Sequence, residues 1–134
     1  MADFEHAQAM LRMAHKDFNA LTGMLDSTVF ADEIFGFHVQ QTVEKALKAW
    51  LCACGVAYPP THDLARLLTL LEKTGADIEQ FWPLVQFTIF AVQARYEEGL
   101  ADQDETVERV VEIENVRNLL AITEKFITDY AAGL

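Results

Sequence analysis

FGFHVQQTVEKALKAW, residues 35–50, decides how the rest of the chain is read. At about 100° per residue, Val39, Val43, Ala46, Leu47, Trp50 and the following Ala53 share one side of a helix. His38, Gln41, Lys45 and Lys48 fall within about 80° of one another on the other side, and Glu44 extends that arc. The polar stripe is either a solvated outer face or the lining of a site. Glu44 and Lys48 form an i,i+4 pair of favourable orientation, which adds only ~0.3–0.5 kcal/mol. Gln40 sits among the apolar positions, so it needs a hydrogen-bond partner.

Working outward, the chain reads as helices throughout. Phe4, Ala7, Leu11, Ala14, Phe18, Leu21 and Leu25 recur in steps of three and four, one seam along a long first helix. Asp26-Ser27-Thr28 is a break. The second helix is expected from Ala31 or Asp32 to about Cys54, where Gly55 can take a left-handed conformation and Pro59-Pro60 forbids continuation. Thr61 suits the N-cap of a third helix, with Asp63 in its first turn. Leu64, Leu67, Leu68 and Leu71 give that helix its buried face, and Gly75 stops it. Asp77 can cap a further segment. Pro83 kinks it or starts a helix through Phe87, Ile89, Phe90 and Val92 to about Glu98. Gly99 to Asp104 is a loop, and the last helix covers roughly Glu105 to Tyr130. On that helix Val107, Val110, Val111 and Ile122 lie on one side, and Leu119, Phe126, Ile127 and Tyr130 on another. Either different partners bury it along its length, or it breaks near Asn118. Extra buried surface of this kind points to a dimer. No alternating strand pattern, repeat or linker is seen, so residues 1–134 are expected to form one all-α domain.

The composition is globular, with 51% hydrophobic residues and a formal charge of −11. The charge is uneven: residues 1–74 carry six basic and nine acidic side chains, residues 75–134 four and twelve. An acidic chain binds nucleic acid poorly without a local basic strip, and only the first half has one to offer. No apolar run approaches the roughly 18–20 residues of a membrane span. No basic region followed by a hydrophobic stretch opens the chain, so a cytoplasmic setting without membrane attachment is expected. Cys52 and Cys54 point about 200° apart on one helix and cannot pair with each other. They read as ordinary packed thiols.

Other chemistry is quickly bounded. His6, His15, His38 and His62 show neither a Glu-x-x-His nor a His-x-x-x-His pairing, so no metal site is expected. No glycine-rich phosphate loop is present, and no cofactor is expected. Thr61, His62 and Asp63 are neighbours in sequence, which is no geometry for a nucleophilic triad. The acidic run from Glu97 to Glu114 reads as a solvated face, and Trp82 beside Pro83 as core or dimer contact.

Three stretches taken in order carry more information. FHVQQTVEKALKAWL at 37–51 is followed by PPTHDLARLL and later by ARYEEG at 94–99. The combination resembles a HEPN domain of the small prokaryotic type. The family pattern is an aromatic-His-x-x-Gln-x-x-Glu-Lys-x-Leu-Lys helix, a Thr-His-x-Leu helix start, and an Arg-Tyr pair closing a later helix. Phe37, His38, Gln41, Glu44, Lys45, Leu47 and Lys48 match the first, Thr61, His62 and Leu64 the second, and Arg95 and Tyr96 the third. The resemblance spans nearly the whole chain. It implies an up-and-down bundle of four or five helices, usually homodimeric. It also implies a setting beside a minimal nucleotidyltransferase, often as a toxin–antitoxin pair.

Many members of that family are ribonucleases with an Arg, four to six residues, then a His. Such a His can act as general acid or base on a ribose hydroxyl while the Arg holds phosphate. This chain departs from that signature. Arg12 and His15 are too close, and no His follows Arg95. The reading is therefore a non-catalytic binding module, a partner or substrate-binding subunit with no catalytic residue. Its candidate ligand-binding residues are His38, Gln41, Glu44, Lys45, Lys48, His62, Arg95 and Tyr96. Lys48 and Arg95 would meet the phosphate of a nucleotide or RNA, and Tyr96 would stack on or hydrogen-bond a base. The same residues read equally well as a buried network holding the helices together. The alternative is a ribonuclease in which His38 or His62 replaces the missing histidine.

Overall fold

The computed structural model describes residues 2–91 and 107–133. Its elements, in chain order, are α1 (Phe4–Thr22), α2 (Asp32–Ala53), α3 (Leu64–Glu72), a 3-10 helix (Glu79–Ala91) and α4 (Arg109–Ala131). The described residues contain helices and no strand, so the all-α bundle expected from the sequence is what forms.

The 35–50 stretch lies inside α2, and α2 is the centre of the bundle. It packs against α1, α3, the 3-10 helix and α4. Phe35, Val39, Val43, Ala46, Leu47, Trp50, Leu51 and Ala53 are all buried, which includes every apolar position assigned to that side. Burial of each such large side chain contributes roughly 1.5–3 kcal/mol. The helix ends as expected, with Cys54 as C-cap and Gly55 at φ +76°. Gly36 is required by packing: a Cβ there would sit 2.7 Å from the Phe90 ring. The 3-10 helix therefore approaches α2 more closely than any side chain at that position allows.

The α1 seam holds through Ala7, Leu11, Ala14, Phe18 and Leu21, then fails by one residue. The helix stops at Thr22, and the turn buries Met24 and exposes Leu25. Asp3 caps the N-terminus by accepting from the His6 N–H. In the break, Asp26 accepts from the N–H and hydroxyl of Thr28. At α3 the cap is Asp63, which accepts from the Ala65 N–H, rather than Thr61. Thr61 takes one step back and accepts from the Asp63 N–H. Leu64, Leu67, Leu68 and Leu71 are buried as expected, and Gly75, at φ +92°, follows the helix end. Pro83 lies inside the 3-10 helix, where Phe87 and Phe90 are buried and Ile89 is exposed. Trp82 is half-buried against the core.

The last helix differs most from expectation. It is continuous through Asn118 and starts at Arg109. Its inner face is Ile113, Val116, Leu119, Leu120, Thr123 and Ile127, so Val110 and Val111 point outward. Only part of the valine side packs: Val107 and Ile122 are half-buried against the core, while the turn that begins with Arg109 and Glu112 leaves Val110 and Val111 exposed. The acidic run is not a uniformly solvated face either: Glu112 is buried, while Glu108 and Glu114 are exposed. Residues 92–106 carry the expected helix end at Glu98, the Gly99–Asp104 loop, the start of the last helix and the Arg95-Tyr96 pair, all outside the described residues.

Candidate functional site

The polar stripe of α2 is not a solvated face. Glu44 and Lys48 are buried, as are Gln40 and Thr42, and His38, Gln41 and Lys45 are half-buried. The stripe divides into two networks, and helical geometry explains the division. His38 and Lys45 are seven residues apart, two turns, and differ in bearing by about 20°. Gln41, Glu44 and Lys48 lie on a bearing further round.

The first network faces α1. The Lys45 ammonium donates to Asp17 Oδ2. His38 Nδ1 approaches the other oxygen, Asp17 Oδ1, at 3.6 Å, which is too long for a hydrogen bond. Nδ1 is buried and has no hydrogen-bond partner among the described residues.

The second network is centred on Glu44. Its Oε1 accepts from Gln40 Nε2 at 2.6 Å and faces His62 Nδ1 at 2.8 Å. Its Oε2 accepts from the Lys48 ammonium at 2.9 Å. Gln41 Nε2 donates to Gln40 Oε1 at 2.8 Å, so each amide of the Gln40-Gln41 pair supports the next. Gln40 thus has the partner its buried position demands. The Lys48 ammonium also lies 5.3 Å from the centroid of the Tyr58 ring, and the Tyr58 hydroxyl meets His6 Nε2 at 2.7 Å. Burial pushes the Glu44 carboxyl up, but the hydrogen bonds from Lys48, His62 and Gln40 outweigh it and hold the group below the usual carboxylate range. Glu44 is therefore an anion at neutral pH. His62 is the outward edge of this network, with 59% of its side chain exposed.

Of the residues singled out in the sequence, Gln41, Glu44, Lys48 and His62 come together, and His38 and Lys45 form a separate pair. Arg95 and Tyr96 lie outside the described residues. Sequence reasoning missed Asp17 and Tyr58. Asp17 lies next to the α1 seam, beside Phe18 and one turn after Ala14, and a charge at the margin of an apolar stripe was the available signal. Tyr58 sits in an irregular connection, where periodicity has nothing to say.

A cleft of about 370 Å³ opens beside Tyr58, lined by His6, Cys52, Gly55, Val56, Ala57 and Tyr58. Cys52 and Cys54 are free thiols. Burial pushes both up from the ordinary thiol value, which disfavours the reactive thiolate. Among the described residues no group of three or more His, Cys, Asp or Glu is placed to hold a metal ion. Nor is any helix there long and apolar enough to cross a membrane.

The central helix carries His-x-x-Gln-x-x-Glu-Lys-x-Leu-Lys, the pattern on which the sequence resemblance rests, and its glutamate meets the histidine before the next helix. The family model of the HEPN domain matches residues 7–130, and the chain belongs to the HEPN family. No curated protein and no solved structure matches it.

Proposed function

We propose that residues 1–134 act as one non-catalytic HEPN binding module, the partner or substrate-binding subunit of a minimal nucleotidyltransferase, as in a toxin–antitoxin pair. One observation carries this reading: both lysines of the polar stripe already hold a carboxylate, Lys45 with Asp17 and Lys48 with Glu44. A nucleotide phosphate at Lys48 would have to displace Glu44, exchanging one anion for another with little Coulombic gain. His38 and His62 likewise face carboxylates, which repel the RNA phosphates a ribonuclease must hold. In this proposal Glu44, Lys48, Lys45, Gln41 and His38 hold the shape of the surface. His62 is its exposed edge, and Arg95 and Tyr96 complete the set. A protein ligand fits such a surface better than a free nucleotide does.

The test combines two measurements. Calorimetric titration with ATP, GTP and a short RNA is expected to give no heat, and end-labelled RNA is expected to remain intact. Size-exclusion chromatography with light scattering, after co-expression with a minimal nucleotidyltransferase, is expected to show a joint peak. RNA cleavage that disappears in His62→Gln or His38→Gln, with the fold retained, would establish the ribonuclease instead. Nucleotide heat that disappears in Lys48→Ala would make the stripe an anion site.

A further inference from the structure

Five of the eight large apolar side chains exposed among the described residues lie in segments that meet at Arg109: Leu25, Val29, Ile34, Val110 and Val111. Arg109 joins these segments directly. Its guanidinium donates to the carbonyls of Met24 and Phe30, at 2.6 and 2.7 Å, and to Asp32 Oδ1 at 2.7 Å. The start of α4 is thereby fixed against the α1–α2 connection and the start of α2. Val110 is 72% exposed and Val29 68%, on neighbouring segments that Arg109 holds together. The same segments are acidic. Residues 23–37 and 107–117 contain six carboxylates against Arg109 and Arg117; Asp32 and Glu114 pair with these two arginines, Glu112 is buried, and Asp26 and Glu108 are exposed, so the surface keeps a net negative charge.

We propose that this end of the bundle docks a segment of a partner protein that is both basic and apolar, with leucine-like side chains flanked by lysine or arginine. The inference rests on the partner-module reading and gives that partner a surface. Charge decides among the occupants. A second copy placed symmetrically would set the same acidic surface against itself. Residues 92–106 carry Arg95 against Glu97, Glu98, Asp102, Asp104 and Glu105, so the chain's own connection has the wrong sign. Nucleic acid and anionic lipid are repelled for the same reason. A basic, apolar polypeptide covers the valines and matches the net negative charge of this end.

The experiment uses a fluorescein-labelled amphipathic peptide of leucine and lysine at helical spacing, and a control with serine for leucine at equal charge. Anisotropy titrations on the full chain are expected to show the leucine peptide bound about tenfold or more tightly than the control, the preference that burial of a few apolar side chains produces. Val29→Ser with Val110→Ser is expected to abolish that preference. Both positions are exposed, and circular dichroism checks that the variant is folded. Equal binding of the two peptides, or a preference unchanged in the double variant, overturns the proposal. So does a wild-type dimer that the double variant splits, which would make a second copy the occupant. If the double variant still co-elutes with the nucleotidyltransferase, the surface is wrong and the module reading survives. If wild type fails to co-elute, the module reading fails, whatever the peptide does.

Discussion

Glu112 is buried at the start of α4 with only half its hydrogen bonding met. Asn115 Nδ2 reaches Oε1 at 3.3 Å, and Oε2 has no partner among the described residues. Burial, opposed only by Asn115, pushes its carboxyl above the ordinary range. The folded state therefore binds the Glu112 proton more tightly than the unfolded chain does. Its contribution to stability falls as pH rises from the ordinary carboxylate value through the raised one. At neutral pH the ionised group opposes folding. Glu112→Gln keeps the acceptor for Asn115 and removes the charge. Urea unfolding at pH 7 is expected to show a gain of about 1 kcal/mol, shrinking to near zero in acid. No gain at pH 7 would mean that the buried oxygen is solvated. This residue was not legible in the sequence, because Glu112 looks like any other acid of the 97–114 run until the rotation of α4 is known. Gln40 was legible: its place among apolar positions demanded a partner, and Glu44 supplies it.

At the scale of the element, α2 shows what periodicity can and cannot tell. Its apolar side was readable residue by residue, because a core face follows the period of the helix. The fate of the other side was not, because burial there depends on what α1 and the Tyr58 connection bring, and neither lies within the helix. Asp17 and Tyr58 turn an apparent wet stripe into two internal networks. The Glu44–Lys48 pair gives a quantitative test. Each partner alone would be a charge stranded in a buried place, whereas two apolar side chains of similar size would not. Glu44→Met and Lys48→Met are each expected to cost about 3 kcal/mol at pH 7, and the double substitution about 1 kcal/mol or less. The pH dependence has a definite sign. The folded-state carboxyl of Glu44 is held below 4.5, so its stabilisation is complete above that value and is lost as pH falls through the lowered one. Wild type and the double variant should therefore converge in stability in acid. Additive single costs in the cycle would show that the two side chains act independently.

At the scale of the whole molecule, helix number and order were readable from seams and breakers, and the way the last helix closes on the first two was not. Val110 and Val111 suggested an inner face that the fold leaves outside. The closure depends on Arg109, a residue no hydrophobic pattern would select. Its guanidinium is buried, lies 4.9 Å from the Phe35 ring centroid, and donates to two main-chain carbonyls in addition to Asp32. Arginine suits this task because its planar fork reaches several acceptors at once and stacks on an aromatic face. Arg109→Ala strands the Met24 and Phe30 carbonyls and the Asp32 carboxylate, at a cost of about 3 kcal/mol. Lysine should rescue little of it, since one ammonium cannot repeat the geometry of the fork. The loss should also be local before it is global, because α3 and the C-terminal half of α2 pack without touching the clamp. Hydrogen exchange on Arg109→Ala is expected to speed up in Met24–Phe35 and Val110–Val116, while the amides of Leu67–Leu71 keep their protection relative to the global stability. Uniform acceleration across all helices would show that Arg109 contributes to the bundle as a whole and does not fasten one end of it. Unchanged exchange would show that the core alone holds α4 in place.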